Sequence, residues 1–201
     1  MPDYVRGIDV ERRPWQRRIE VYSPKLGRRV THFSRTAYEA WLLLESDPTI
    51  KTFCERPAYL DDQAQRVIDF WVNRGRHASF WLLATDKAEH VTWPQRVHEL
   101  PLRVIRREEL VAQSIRVQNW SRIVPYLASF ARHLDPRLQQ DVLGRLAKPH
   151  RLERLEASFH PLDAASVRAA VFTLLAAGDV VAPELERTPL GPTTVFKRAG
   201  S

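Results

Sequence analysis

Apolar positions in the N-terminal half follow the alternating and short continuous patterns that are typical of β-strands. Residues 19–22 and 29–32 predict two short strands, because the Ser-Pro-Lys-Leu-Gly run between them is typical of a turn. The run at 78–85 is apolar almost throughout, as expected of a strand that is buried on both faces. Similar runs predict further strands at 50–57, 65–72 and 102–105.

A helix is predicted among these strands. Apolar residues recur at positions i, i+4 and i+7 from Ala37, which predicts a helix over residues 35–45. Ser34 precedes it as an N-cap, and Asp47-Pro48 ends it. A second helical stretch begins at Arg107.

The C-terminal part is predicted to be mainly helical from about Asn119 onwards. Asp135 followed by Pro136 marks the start of one helix, with the proline at the first helical position. Asp163 and Gly178 bracket the clearest helix as N-cap and C-terminal stop. Two short strands joined by a turn follow it, and a helix followed by a hairpin is the outline of a winged helix.

Composition adds limits to this pattern. The chain has 201 residues, of which 44% are hydrophobic and 27% charged, so wholesale disorder is excluded. We predict an α/β domain over residues 1–115 and a helical domain over 116–201. The single cysteine, Cys54, excludes an internal disulfide and a cysteine-rich zinc module, and its apolar surroundings predict a buried, inert thiol. No run approaches the roughly 18 apolar residues of a membrane helix, so we expect a soluble protein with no membrane partner.

The positive charge is unevenly distributed. The net charge is +7, and residues 1–150 hold 25 basic and 18 acidic residues, whereas residues 151–201 hold six of each. A basic N-terminal part favours contact with a polyanion such as DNA, and a neutral C-terminal part favours contact with protein. The predicted DNA-binding residues are the early arginines, namely Arg12, Arg13, Arg17, Arg18, Arg28 and Arg29.

Common catalytic motifs are absent from the sequence. It contains no glycine-rich phosphate loop, no Gly-x-Ser-x-Gly elbow and no His-Glu-x-x-His metal motif. From the residues alone, the sequence predicts an α/β fold and, from its charge, binding to DNA.

Four runs, in order, resemble the TnsA family: FSRTAYEAWLLLESDP, IKTFCERP, VIDFWV and ASFWLLATDK. Members of this family are the restriction-endonuclease-like subunits of heteromeric bacterial transposases. Ser34 and Asp47-Pro48 stand at the family's mutual spacing, Glu55-Arg56-Pro57 matches its strand end, and Ile68-Asp69-Phe70 matches its Pro-Asp-Phe motif. The resemblance implies a restriction-endonuclease-like mixed sheet flanked by helices, then a small helical winged-helix domain, in a protein of the bacterial cytoplasm.

The resemblance also implies partners. A TnsA subunit cuts one strand at each transposon end while an integrase-like transposase cuts the other, and an AAA+ ATPase regulator contacts the C-terminal domain. We therefore expect transposon-end DNA, an integrase-like transposase subunit and an AAA+ ATPase as partners.

The family's catalytic positions are only partly retained. Its chemistry needs two carboxylates to hold Mg²⁺ and a lysine beside the attacking water. Asp69 matches the metal-binding aspartate, but Ala37 stands in place of the helix glutamate, and Leu82 to Ala84 occupy the Glu-x-Lys positions. Glu39 is expected to pair with Arg35 instead of replacing the lost glutamate. Since one carboxylate holds Mg²⁺ weakly, we expect a catalytically inactive nuclease fold without a cofactor, and Mg²⁺ at Asp69 only if the protein is active.

Two alternatives stay open. The first is an active metal-dependent nuclease with a relocated acidic site. The second is a winged-helix DNA-binding regulator, which is disfavoured because the predicted helix over 163–177 offers Arg168 as its single basic residue. The residues available for the relocated site are Asp61, Asp62, His77, Asp86, Lys87 and Glu89.

Overall fold

The structure is a computed structural model that describes residues 4–10, 17–61, 63, 66–84, 92–130 and 133–200. Its contacts divide the chain into two units, the first comprising Met1–Leu44 and Thr49–Ala112, the second Glu45–Pro48 and Gln113–Ser201. No helix in the described ranges has the length and apolar character needed to span a bilayer. The regular elements are, in chain order, β1 (Ile19–Ser23), β2 (Arg28–His32), α1 (Arg35–Ser46), β3 (Thr52–Glu55), β4 (Phe70–Asn73), β5 (Ala78–Leu83), β6 (Arg96–Val97), β7 (Leu100–Ile105), α2 (Arg107–Ala112), α3 (Ser114–Phe130), α4 (Pro136–Arg145), β8 (His150–Arg151), α5 (Leu152–Ala157), α6 (Ala164–Ala177), β9 (Val180–Val181), a 3-10 turn (Pro183–Glu186) and β10 (Val195–Arg198).

The first unit contains a five-stranded mixed sheet in the order β3-β4-β5-β7-β6, together with helices α1 and α2. Neighbouring strands are antiparallel except β5 and β7, which are parallel. A separate antiparallel hairpin, β1-β2, precedes it. The predicted α/β class, with a mixed sheet flanked by helices, is confirmed.

The two faces of this sheet are buried by different partners. On one face, Cys54, Trp71 and Phe80 belong to a cluster that also receives Tyr4 of the N-terminal segment. On the other face, Phe70 contacts the rings of Phe53 and of His32 in the hairpin, and the His32 ring in turn contacts Trp41 of α1. Five of the six residues of β5 are buried, as the sequence predicted.

The second unit packs α3, α4 and α5 against α6 and carries the antiparallel sheet β8-β10-β9. α6 is almost entirely apolar, and Gly178 ends it in the left-handed conformation that glycine tolerates at a C-cap. Asn119 of α3 is fully buried, donates to the carbonyls of Leu185 and Thr188 and accepts from the amide of Leu190. It therefore fixes the segment that precedes β10.

The local predictions differ from the structure mainly at element ends. β4 begins at Phe70, five residues later than predicted, because Val67 pairs with Tyr59 in a local bridge. β3 ends at Glu55, since Arg56 has φ 48° and leaves the extended conformation. α3 begins at Ser114, earlier than the predicted Asn119.

The predicted caps differ in outcome. The side chain of Ser34 accepts from the amide of Ala37, and that of Asp135 accepts from Arg137, as predicted. The side chain of Asp163 makes no capping hydrogen bond, and the backbone oxygen of this residue accepts from the amides of Ser166 and Val167.

Candidate functional site

Asp69 lies immediately before β4, at the edge where β5 ends. Its amide donates to the carbonyl of Trp81 at 3.1 Å, and its own carbonyl accepts from the amide of Arg56 at 2.9 Å. Backbone bonds on both sides therefore fix the direction in which the carboxylate leaves the chain.

One oxygen of the Asp69 carboxylate is already bonded to two protein groups. Its Oδ2 accepts from the amide of Leu83 at 2.8 Å and from Nη2 of Arg66 at 3.0 Å, and the same Nη2 donates to the carbonyl of Leu83 at 2.9 Å. The Asp69 side chain is 20% exposed. Arg66 thus supplies beside Asp69 the positive charge that a metal ion supplies in a nuclease site.

Burial raises the pKa of Asp69 to about 6, although the charge of Arg66 and the hydrogen bond from Leu83 both oppose the rise. The folded protein therefore holds a proton on Asp69 between about pH 4 and pH 6 that the unfolded chain has released. As a result, the free energy of unfolding falls as the pH rises through this window, by about 3 kcal/mol.

Asp69→Asn is expected to remove this pH-dependent part of the free energy of unfolding. The asparagine retains an oxygen that accepts the hydrogen bond from the Leu83 amide. Urea denaturation at pH 4 and pH 7 measures the change: relative to wild type, the variant should gain up to about 3 kcal/mol of stability at pH 7 over pH 4. Asp61→Asn, at an exposed position, is the matched control. Equal pH dependence in wild type and Asp69→Asn would contradict the assigned pKa.

Leu82 and Ala84 lie where a nuclease of the resembled type would carry its second carboxylate and lysine. The paired register ends at Phe70 and Trp81, and the amide of Asp69 donates to the carbonyl of the same Trp81, so Asp69 also lies opposite Trp81 and its carboxylate reaches the amide of Leu83. Leu82 is fully buried. Within the described residues, no group of three His, Cys, Asp or Glu side chains comes together as metal ligands.

The start of α1 offers no replacement carboxylate. Ala37 sits in its first turn, where its amide is capped by Ser34. Glu39 accepts from Nε of Arg35 at 2.7 Å, which confirms the predicted pair on this helix.

The residues available for a relocated site are not brought to Asp69 where the structure describes them. His77 lies in the β4-β5 turn, at the other end of a hairpin that rises roughly 13 Å over four residues. Asp61 is exposed and follows Leu60, whose amide donates to the carbonyl of Arg66. The remaining ones, Asp62, Asp86, Lys87 and Glu89, lie outside the described residues.

The predicted DNA-binding arginines divide into three groups. Arg17 and Arg29 are exposed, and Arg18 is exposed beside Glu20 at 3.2 Å. Arg28 differs from these three, because both its terminal nitrogens donate to Glu55, a carboxylate that is 5% exposed, at 2.8 and 2.7 Å. A phosphate would have to replace this buried partner, so Arg28 is the weakest of the described candidates, and its contact with DNA stays a prediction. The other two, Arg12 and Arg13, lie outside the described residues.

In the second unit, Arg168, the basic residue of α6, already donates hydrogen bonds to other protein groups. Nε of Arg168 donates to Glu156 at 2.6 Å and its Nη1 donates to the hydroxyl of Tyr126 at 3.0 Å. Hence α6 presents no unpaired basic side chain in its described length, which disfavours it as a helix that reads DNA.

Cys54 is fully buried in β3, as predicted. Burial raises the pKa of its thiol to about 12, so it stays protonated and unreactive at neutral pH.

Sequence reasoning missed Arg66 and Arg56. The three-residue spacing of Arg66 and Asp69 was the available signal for their pairing, but it has this meaning only if the chain turns there. No local signal pointed to Arg56, whose side chain contacts residues far away in sequence.

No protein-family model matches this chain, and no curated protein is significantly similar to it. The family resemblance therefore stays a prediction.

Proposed function

We propose that the protein is a TnsA-like subunit of a bacterial DNA transposition system that binds transposon-end DNA and partner proteins without cutting. In this proposal the first unit is a restriction-endonuclease-like domain and the second a winged-helix domain. The observation that carries it is the carboxylate of Asp69, which is bonded to Arg66 and to the amide of Leu83.

The few metal ligands around Asp69 disfavour cleavage. Mg²⁺ requires several oxygen ligands in near-octahedral geometry. Asp69 has one oxygen bonded twice, to the guanidinium of Arg66 and to the amide of Leu83, and Leu82, the residue before Leu83, is fully buried and apolar. Removing one transition-state charge stabiliser typically costs on the order of 10²–10³ in rate. A site that has neither a second carboxylate nor a lysine among the described residues would therefore be too slow to serve as a nuclease.

Exposed arginines in the hairpin and in the segment before it support binding to DNA. Arg17 and Arg29 are exposed, and neither is in an ion pair within the described residues. Such side chains bind phosphates by displacing condensed counterions, so binding weakens steeply with salt.

The second unit supports binding to partner proteins. Its element order, α3, α4, β8, α5, α6, β9 and β10, with the sheet order β8-β10-β9, is consistent with a winged helix. Because Arg168 of α6 is held by Glu156, this helix suits packing against protein better than reading DNA. The proposed partners are an integrase-like transposase subunit and an AAA+ ATPase.

Cleavage and binding are tested together on a labelled transposon-end duplex. With Mg²⁺ or Mn²⁺ we expect no nicking above the buffer rate, and a gel shift that weakens as salt rises. Metal-dependent nicking that Asp69→Ala abolishes would contradict the proposal and favour the relocated acidic site.

The arginines are tested by Arg17→Ala combined with Arg29→Ala. Each lost phosphate contact makes the plot of log K against log salt less steep by about 0.9, so the double variant should reduce the steepness by about 2. Arg76→Ala, in the exposed β4-β5 turn, is the control for charge alone. An unchanged slope in the double variant would show that these arginines do not meet DNA.

A further inference from the structure

A pocket of about 500 Å³ opens beside the β1-β2 hairpin in the first unit. This volume is in the range of sites that hold a small molecule or one unit of a polymer. Neither Asp69 nor the strand end beside it contributes to the lining, which consists of Asp9, Val10, Arg18, Thr31, Phe33 and Arg56.

Arg56 gives this pocket a positive charge without an opposing ion pair. Its guanidinium donates to the carbonyls of Ile8 and Thr31 and lies 5.0 Å from the centre of the Phe33 ring. No carboxylate in the described part of the chain lies within ion-pair distance of it. Burial lowers the pKa of Arg56, because its charge has lost part of its hydration, although the charges of Glu55 and of Asp9, which also lines the pocket, oppose this change. A half-buried cation that is held by neutral carbonyls attracts an anion.

The backbone of Arg56 is held in an unusual conformation. Its φ of 48° is left-handed, a region that residues with a Cβ seldom adopt. The amide donates to Asp69 and the carbonyl accepts from Ile8, both at 2.9 Å. The strain is thus imposed from both sides, which is the usual circumstance of residues aimed into a binding site.

The outer face of the hairpin continues the pocket as a row of aromatic and arginine side chains. Tyr22 pairs with Arg29, and extending the register past Ile19 and His32 sets Arg18 opposite Phe33. Both pairs project from one face because they are separated by an even number of residues. They lie roughly 13 Å apart along the strand. Aromatic faces combined with arginines are the means by which proteins bind single-stranded nucleic acid.

We propose that this pocket binds one unpaired nucleotide of single-stranded DNA, and that the hairpin face leads the strand to it. Arg18 and Arg56 meet the phosphate, and Phe33 contacts the base. The Arg18–Glu20 pair is exposed and weak, so a phosphate replaces Glu20 readily. Asp9 repels a second phosphate and accepts from an amino group of the base. The inference rests on the proposed function for its choice of DNA as the ligand.

The test compares a labelled 12-nucleotide single strand with the transposon-end duplex by fluorescence anisotropy. Phe33→Leu is expected to weaken single-strand binding about tenfold while leaving duplex binding within about twofold, because base stacking is lost. Arg56→Lys keeps the charge but loses the planar fork, and it should weaken single-strand binding severalfold. Arg76→Lys is the matched control, and thermal unfolding checks that every variant is folded.

Three results would overturn the inference: unchanged single-strand affinity in both folded variants, equal losses on single strand and duplex, or competition by deoxynucleoside monophosphate as strong as by the oligonucleotide. The last result would assign the pocket to a free nucleotide. If the wild-type protein binds the duplex but the single-strand predictions fail, only the inference about the pocket is disproved. If it binds no duplex, the proposed function falls as well.

Discussion

Arg28→Met is expected to lower the free energy of unfolding of the first unit by about 3–5 kcal/mol, the largest effect among these predictions. Glu55 is 5% exposed, and both its oxygens accept from Arg28, at 2.8 and 2.7 Å. Removing Arg28 leaves a buried carboxylate without its counterion, and the desolvation that the ion pair offset is then uncompensated. Urea denaturation at pH 7 measures the loss.

The double variant, Arg28→Met with Glu55→Met, separates charge from packing. Replacing a whole buried ion pair by apolar side chains is often neutral, so the double variant should recover most of the stability lost in Arg28→Met. Arg29→Met is the control on the exposed side of the same strand and should change stability by less than about 0.5 kcal/mol. If Arg28→Met left stability intact and weakened DNA binding instead, Arg28 would be a DNA-binding residue after all.

His32→Phe is expected to remove an acid-sensitive component of about 3 kcal/mol at pH 4. His32 is buried against Trp41 and Phe70, and its Nε2 has no hydrogen-bond partner in the described structure. Burial, with the nearby charge of Arg56, lowers the pKa of His32 to about 3. The unfolded chain therefore binds a proton below about pH 6.5 that the folded protein does not, and stability falls as the pH drops from 6.5 toward 3.

The contribution of Asp69 to the pH dependence of stability has the opposite sign. Because its pKa is raised in the folded protein, acidification from pH 6 to pH 4 favours the folded state. The two contributions offset each other in the wild-type protein, and the single variants separate them. On acidification, His32→Phe should become more stable relative to wild type, and Asp69→Asn less stable. Denaturation curves at pH 7, 5.5 and 4 measure this, with His77→Gln as the exposed histidine control. Parallel pH profiles of wild type and His32→Phe would disprove the assignment.

Part of the candidate site was predictable. Asp69, Ala37 and Leu82 were identified from their order and spacing, and the structure places the amide of Leu83, the residue after Leu82, on the Asp69 carboxylate. The partner of Asp69 was not identified. Whether Arg66 reaches the carboxylate depends on the turn before β4 and on the end of β5, which lies 14 residues beyond Asp69.

The elements whose causes are local could be read from the amino-acid sequence alone. Ser34 caps α1 and Asp135 caps α4 because a capping side chain reaches amides two or three residues away. The predicted strands formed for the same reason, since alternation and turn residues act over short distances.

The different environments of Arg28 and Arg29 depend on packing between segments that are distant along the chain. The two are identical, adjacent residues of one strand, and successive side chains of a strand point to opposite faces. Arg28 meets Glu55, 27 residues away along the chain, whereas Arg29 is exposed. Which face is buried depends on the elements that pack against the hairpin, and nothing in the residues next to the two arginines carries that information.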